Sequence, residues 1–346
     1  MKQLTVLTGV ILLAVLWVFS PAWALEQMPG KSGFSGFVRP GYGYLDIKTN
    51  MVASSGPYDI SKRTINSRSS SPRSESRGII GLPFRLNYTL DNLETQIFIG
   101  TKMMNINRLD ISQEIGIKQL FDGVGLFQAG LLFSAMGTKV WKDPYLENAN
   151  RSRTDQDASG IRLVWDKIFE SNFEVAYSYR NIDINHDYSA RSIGGLTKSQ
   201  RKRLQRDSDE HILEAQYRFS FGDNKHHLIP MVSYKYDNRD GDALKNEEFL
   251  VGLTYTYQGD PITFTATGTI GQADYDKRNP IYGKKQDDDI YGVNATIYYK
   301  NPWGWRVGNS KPVNLYVMGL YAERSADIDF YYEKASMVSA GMMFRW

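Results

Sequence analysis

The sequence predicts an all-β fold: a transmembrane, up-and-down antiparallel β-barrel of about fourteen strands, within a range of twelve to sixteen. Three observations predict it. Apolar and polar residues alternate with period 2, in runs of about ten residues. The polar positions of those runs carry charges that a dry protein core does not hold unpaired. Aromatic residues gather at the ends of the runs, on the apolar face.

Composition narrows the class. Of the 346 residues, 42% are hydrophobic and 13% aromatic, with 22 Tyr, 16 Phe and 7 Trp, which excludes a disordered chain. Charge is nearly balanced, 41 basic against 38 acidic, and a net +3 argues against nucleic acid as a partner. Cysteine is absent, which excludes disulfides, zinc–thiolate sites and a thiol nucleophile.

The first element is an address. Lys2 is followed by an apolar run from Leu4 to Phe19, Pro21 breaks it, and Ala22 and Ala24 place small residues at −3 and −1. This reads as a secretory signal peptide over residues 1–24, cleaved after Ala24; the alternative is an N-terminal membrane anchor. Residues 25–32 form a short periplasmic segment, and 33–346 form the barrel.

The strands follow in order. They are expected near 33–46, 78–90, 94–105, 110–121, 126–136, 159–168, 173–184, 210–221, 226–237, 247–258, 262–273, 290–300, 313–324 and 332–346. Leu82, Phe84, Leu86, Tyr88 and Leu90 share one face of the second strand, against Pro83, Arg85, Asn87 and Thr89. Leu213, Ala215, Tyr217, Phe219 and Phe221 alternate with Glu214, Gln216, Arg218 and Ser220. Ile262, Phe264, Ala266 and Ile270 alternate with threonines. Connections sort by parity. Those at one end are mostly short, as at 122–123, 170–172, 222–225 and 259–261, while 47–77, 137–158, 185–209 and 274–289 are long. That is a meander with both termini on the short-turn side.

A soluble sandwich alternates in the same way. The membrane is favoured because the strands match the roughly 9–11 tilted residues that cross a bilayer. Tyr42, Tyr44, Tyr177, Tyr179, Tyr234 and Tyr236 mark the long-loop end, and Phe219, Phe221, Tyr255 and Tyr257 the short-turn end. These are two interfacial girdles. A wet lumen accepts the charged face.

The closing strand reads Val338, Ala340, Met342, Phe344 and Trp346 on alternate positions, ending on the aromatic. This resembles the terminal strand of bacterial outer-membrane β-barrels. The resemblance, carried by the signal peptide and this strand, implies a porin-like barrel in the bacterial outer membrane, with these five residues as the assembly signal. It implies outer-membrane lipids, lipopolysaccharide and the barrel assembly machinery as partners. The opening Gly33-Phe34-Ser35-Gly36 is similar to the first strand of an uncharacterised outer-membrane family.

Fourteen strands fall between the filled eight-stranded barrel and the open sixteen-stranded porin, so a narrow pore is expected. Its inward face carries eight cations, Arg39, Arg85, Lys102, Lys118, Arg162, Arg180, Arg218 and Lys235, and four carboxylates, Glu114, Asp166, Glu174 and Glu214. The balance of +4 implies a mild anion preference; salt-bridge ladders that fill the lumen are the competing reading. No mass for a plug is evident, and residues 25–32 are too few for the N-terminal plug of barrels that take up hydrophobic compounds.

Loop features are less specific. Lys198, Arg201, Lys202, Arg203 and Arg206 suit lipopolysaccharide phosphates, an inward constriction, or plain solvation. The first long loop, with Ser67 to Ser71 and Arg63, Arg68, Arg73 and Arg77, reads as low-complexity and mobile. Asp237, Asp240 and Asp242 surround Gly241, but aligning that glycine to a calcium loop puts Tyr236 in the first ligand place, which fails. The four histidines, His186, His211, His226 and His227, match no catalytic spacing.

The expected function is passive diffusion of small hydrophilic solutes through an outer-membrane channel, with no reaction, metal or cofactor. The alternative is a surface-interaction or structural barrel with a closed lumen, as in an adhesin. The solute and oligomeric state are not legible.

Overall fold

Fourteen antiparallel strands close into one barrel in the computed structural model, which describes residues 31–90, 94–134, 136–306 and 311–346. The signal-peptide reading at Ala22 and Ala24 lies outside the described residues. Strand β1 comprises Gly33–Val38 and Gly41–Lys48, and β2 comprises Glu75–Gly81 and Phe84–Leu90. Then come β3 (Thr95–Asn105), β4 (Asp110–Phe121), and β5 (Gly125–Ser134, continued by Thr138–Trp141). Next are β6 (Arg153–Asp166), β7 (Phe173–Ile184), and β8 (Ser208–Tyr217 and Phe219–Phe221). The rest are β9 (His226–Arg239), β10 (Asn246–Gln258), β11 (Ile262–Arg278), β12 (Lys285–Lys300), β13 (Asn314–Ala326) and β14 (Glu333–Arg345).

Each strand pairs with its neighbours in sequence. The ring closes because β14 pairs with β1, from Gly41↔Gly341 to Lys48↔Lys334 and again at Val38↔Phe344. Closure leaves no strand edge unpaired in lipid. The breaks in β1 and β2 sit side by side, at Pro40 and Pro83, where proline withholds the ladder N–H. The neighbours compensate: Arg39 N donates to Pro83 O and Met342 N to Pro40 O. Gly41 and Gly341 face each other at this seam, where a Cβ on Gly341 would meet Gly41 Cα at 2.6 Å, so the inward Tyr316 ring has room to cover them.

The expected faces are observed. Leu86, Tyr88, Ile97, Leu131, Leu163, Ile270, Val317 and Val338 point outward and are exposed, a belt too large for an aqueous surface. The girdle tyrosines lie outside as well, with Tyr177 OH 2.8 Å from His211 Nδ1 and Tyr255 OH 2.8 Å from His226 Nδ1. Many inward positions on β10, β11 and β12 are small or polar, with Thr254, Thr256, Thr265 and Thr296 buried.

Strand lengths differ from expectation at the long-loop end. β11 has 17 residues and β12 has 16, and β6 begins at Arg153 rather than near 159. Above the bilayer both faces of a hairpin are polar. The apolar alternation therefore stops while the hydrogen-bonded ladder continues.

The long loops correct a second expectation. The first one is a folded element: Val52–Ser55 and Tyr58–Asp59 form a hairpin, and Val52–Ser55 pairs with Thr138–Trp141 of β5. Its residues Met51, Val52, Ile60 and Ile65 are buried in a core shared with Tyr145, Leu204, Leu244 and Phe330 from other loops. The plug mass not evident in sequence is thus supplied by loops folding over the mouth as a cap. Their apolar residues are spaced without period, so no pattern signalled their burial.

Candidate functional site

Alternation along the strands aims one row of each inward, and the enclosed space is a lumenal cavity of about 450 Å³. Arg85, Lys102, Glu114, Lys118, Arg162, Asp166, Glu174, Glu214 and Lys235 line it. Arg39, Arg180 and Arg218 point inward but lie elsewhere. Arg39 is buried near the seam, donating to Tyr298 OH at 2.6 Å, with its guanidinium 5.2 Å from the Tyr316 ring centre. Arg180 sits nearer the cap, and Arg218 near the short-turn end of β8.

The cavity has two unlike walls. Strands β2 to β8 supply most of the charges. There Arg162 bonds Glu214 at 2.6 Å, Gln128 donates to Glu114 at 2.7 Å, and the Arg85 guanidinium lies 4.3 Å from the Phe98 ring centre. Strands β9 to β13 supply Ile229, Met231, Leu250, Ile290 and Leu320 among threonines and glycines. One wall is therefore mostly ionic, and the other sets apolar side chains below Lys235, Glu248 and Arg324.

Towards the cap, ion pairs link the strands, and some run as chords between strands that are not neighbours. Arg180 of β7 holds Asp110 of β4 at 2.8 Å and Glu210 of β8 at 3.0 Å. Arg324 of β13 bonds Glu248 of β10 and, at 2.9 Å, Asp288 of β12; Lys235 meets the same Glu248 at 3.0 Å. Arg239 bonds Asp237 at 2.9 Å, and Arg108 reaches across to Glu333 at 2.8 Å. Sequence reasoning missed Asp110, Glu210, Asp237, Arg239, Glu248, Asp288, Arg324 and Glu333. Most fall within the expected strands on the inward parity, so extending the alternation finds them. With Arg108, they bring the twelve expected residues to eleven cations and ten carboxylates, and the +4 balance falls to +1. Its cause was a count that stopped below the level where carboxylates concentrate.

Above this layer the cap is knitted from every side. Tyr145 OH meets Tyr331 OH at 2.7 Å, Asn279 donates to Tyr331 OH at 2.7 Å, and Tyr282 OH donates to Arg68 O at 3.0 Å. Arg151 is buried against Trp141 and donates to the carbonyls of Asn50, Pro144 and Lys62. Arg206, also buried, bonds Asp187 at 2.9 Å and Trp141 O at 2.8 Å, while Ser189 donates to Asp187 at 2.7 Å. Burial would raise the Asp187 carboxyl, but the Arg206 guanidinium and the Ser189 donors hold it below its ordinary value. The five loop cations do not act as one patch. Arg201 caps Ile193 O, Arg203 bonds Asp242 at 2.7 Å, and Arg206 is internal, leaving Lys198 and Lys202 exposed on the short helix Lys198–Lys202. Asp237 and Asp242 turn to different arginines and share no site.

The family described as "Protein of unknown function (DUF2860)" matches residues 33–345, the whole barrel. This chain belongs to that family. None of the curated proteins matches it. Among solved structures it is similar to a loop L8 deletion mutant of OmpT, an outer membrane protein of Vibrio cholerae. That match has 13% identity and a TM-score of 0.41, and covers 90% of this chain and 99% of that one. It is similar to the outer membrane channel DcaP of Acinetobacter baumannii, at 10% identity and TM-score 0.45, over 91% of this chain and 97% of that one. It is also similar to a deltaS2S3 mutant of TodX, a monoaromatic hydrocarbon channel, at 8% identity and TM-score 0.47, over 91% and 90%.

Proposed function

We propose that this barrel is an outer-membrane channel for passive diffusion of small hydrophilic solutes. The observation that supports this best is the charge-lined cavity of about 450 Å³ inside a belt of lipid-facing apolar residues. The path would run along Arg85, Lys102, Lys118 and Arg162 on one wall and the threonines of β10 and β11 on the other. No bond is made or broken in this reading. Signal cleavage after Ala24 and assembly through Val338, Ala340, Met342, Phe344 and Trp346 belong to the same proposal, as do lipopolysaccharide and the assembly machinery as partners. At the cavity six cations face five carboxylates, so the anion preference is slight.

The test is conductance of the purified protein in a planar bilayer. Discrete small openings support the channel. Silence supports the second reading, a closed barrel that presents its loops to a surface partner, which the packed cap favours.

A further inference from the structure

We propose that the lumenal cavity binds a zwitterion with an apolar body, of the class of an apolar amino acid. The inference rests on reading the lumen as the solute path, and deepens it. Two opposite charges in the cavity are left without partners. Lys102 of β3 and Glu174 of β7 both line it, and neither makes a hydrogen bond or ion pair with any described residue. Glu174 is 7% exposed. The neighbouring charges are occupied, Arg162 by Glu214 and Glu114 by Gln128. Lys102 and Glu174 line the same cavity, and they are too far apart to pair with each other. Both charged ends open onto the cavity, so each is free to take its partner from a solute.

A lone ammonium would select an anion, and a lone carboxylate a cation. The pair in one cavity selects a solute carrying both: its carboxylate meets Lys102, its ammonium meets Glu174, and it bridges the gap between them. The facing wall specifies the remainder. Met231, Leu250, Ile290 and Leu320 offer apolar surface to the body of that solute. The cavity volume falls in the roughly 300–1,000 Å³ range of small-molecule sites.

The experiment is equilibrium binding to the detergent-solubilised protein, with L-phenylalanine, phenylacetate and phenethylamine as probes. The last two each keep one charge and the same ring. L-phenylalanine is expected to bind at least tenfold tighter than either, and Lys102→Met and Glu174→Gln are each expected to weaken it about tenfold. Heat-modifiable migration checks that the variants fold, and the comparison of probes on the wild type needs no variant. Equal binding of the three probes, tighter binding of a singly charged one, no binding of L-phenylalanine at millimolar concentration, or indifference to both variants in folded protein overturns the proposal. Binding is read without conduction. A silent bilayer therefore refutes the channel alone, and a conducting barrel without this preference refutes the site alone.

Discussion

At Asp187 a single proton bears directly on the cap. Its carboxylate takes Arg206 and Ser189 while both charged groups are buried. Breaking a buried pair by removing one partner costs about 3–5 kcal/mol, because the other charge is stranded. Asp187→Asn is therefore expected to lower the opening free energy of residues 185–207 by about that amount, read by hydrogen exchange. The pH sign follows from the carboxyl being held below its ordinary value. Its stabilisation is complete above the ordinary carboxylate range and is lost as pH falls through the lower native value. Exchange in this loop should rise in acid in the wild type and rise less in the variant. Equal acid response in both would assign the cap's pH dependence to other groups. This pair was not legible beforehand. Arg206 stood in a run of cations that fits a solvated loop equally well, and only its bonds to Asp187 and to Trp141 O place it inside.

Elements carry the next two expectations. Phe344 of the closing strand β14 and the following Trp346 lie at the short-turn end, beside β1. Replacing both with Ser is expected to leave protease-sensitive protein outside the membrane, scored by fractionation; normal outer-membrane levels would refute the assembly role. The cap hairpin makes the other case. Deleting residues 51–73 removes the segment that pairs with β5 and buries Met51, Val52, Ile60 and Ile65. The deletion should raise single-channel conductance several-fold and expose the remaining loops to trypsin. Unchanged conductance would place the narrowest point below the cap. The strands were readable because period 2 marks one buried and one lipid-facing side. The hairpin was not, because its apolar residues follow no period and meet partners from distant loops.

At the scale of the whole molecule, unboiled protein in detergent is expected to migrate differently from boiled protein and to give a β-rich circular dichroism spectrum. A helical spectrum would exclude the barrel in solution. The levelled charges bear on selectivity. With eleven inward cations against ten carboxylates among those named, reversal potentials under a potassium chloride gradient should be close to zero, with a slight anion bias. Arg85→Glu with Arg162→Glu should turn that bias to cations, and high salt should shrink it, since the Debye length is about 10 Å at 0.1 M. Strong anion selectivity in the wild type would mean that Arg85, Lys102, Lys118 and Arg162 control passage despite the carboxylates near the cap.

The sequence by itself determined the barrel. Strand number, parity of short and long connections, the aromatic girdles, and which residue of each pair faces lipid all follow from local alternation, because an arginine turned to lipid at mid-bilayer costs about 2–4 kcal/mol and so fixes the register strand by strand. Tertiary structure alone decided what the lumen contains. The chords from Arg180 to Asp110 and from Arg324 to Glu248 join strands that are not neighbours, and the cap joins loops from all around the ring. Such contacts depend on barrel curvature and on where each loop's apolar residues find one another, and neither is encoded in the period of any single strand.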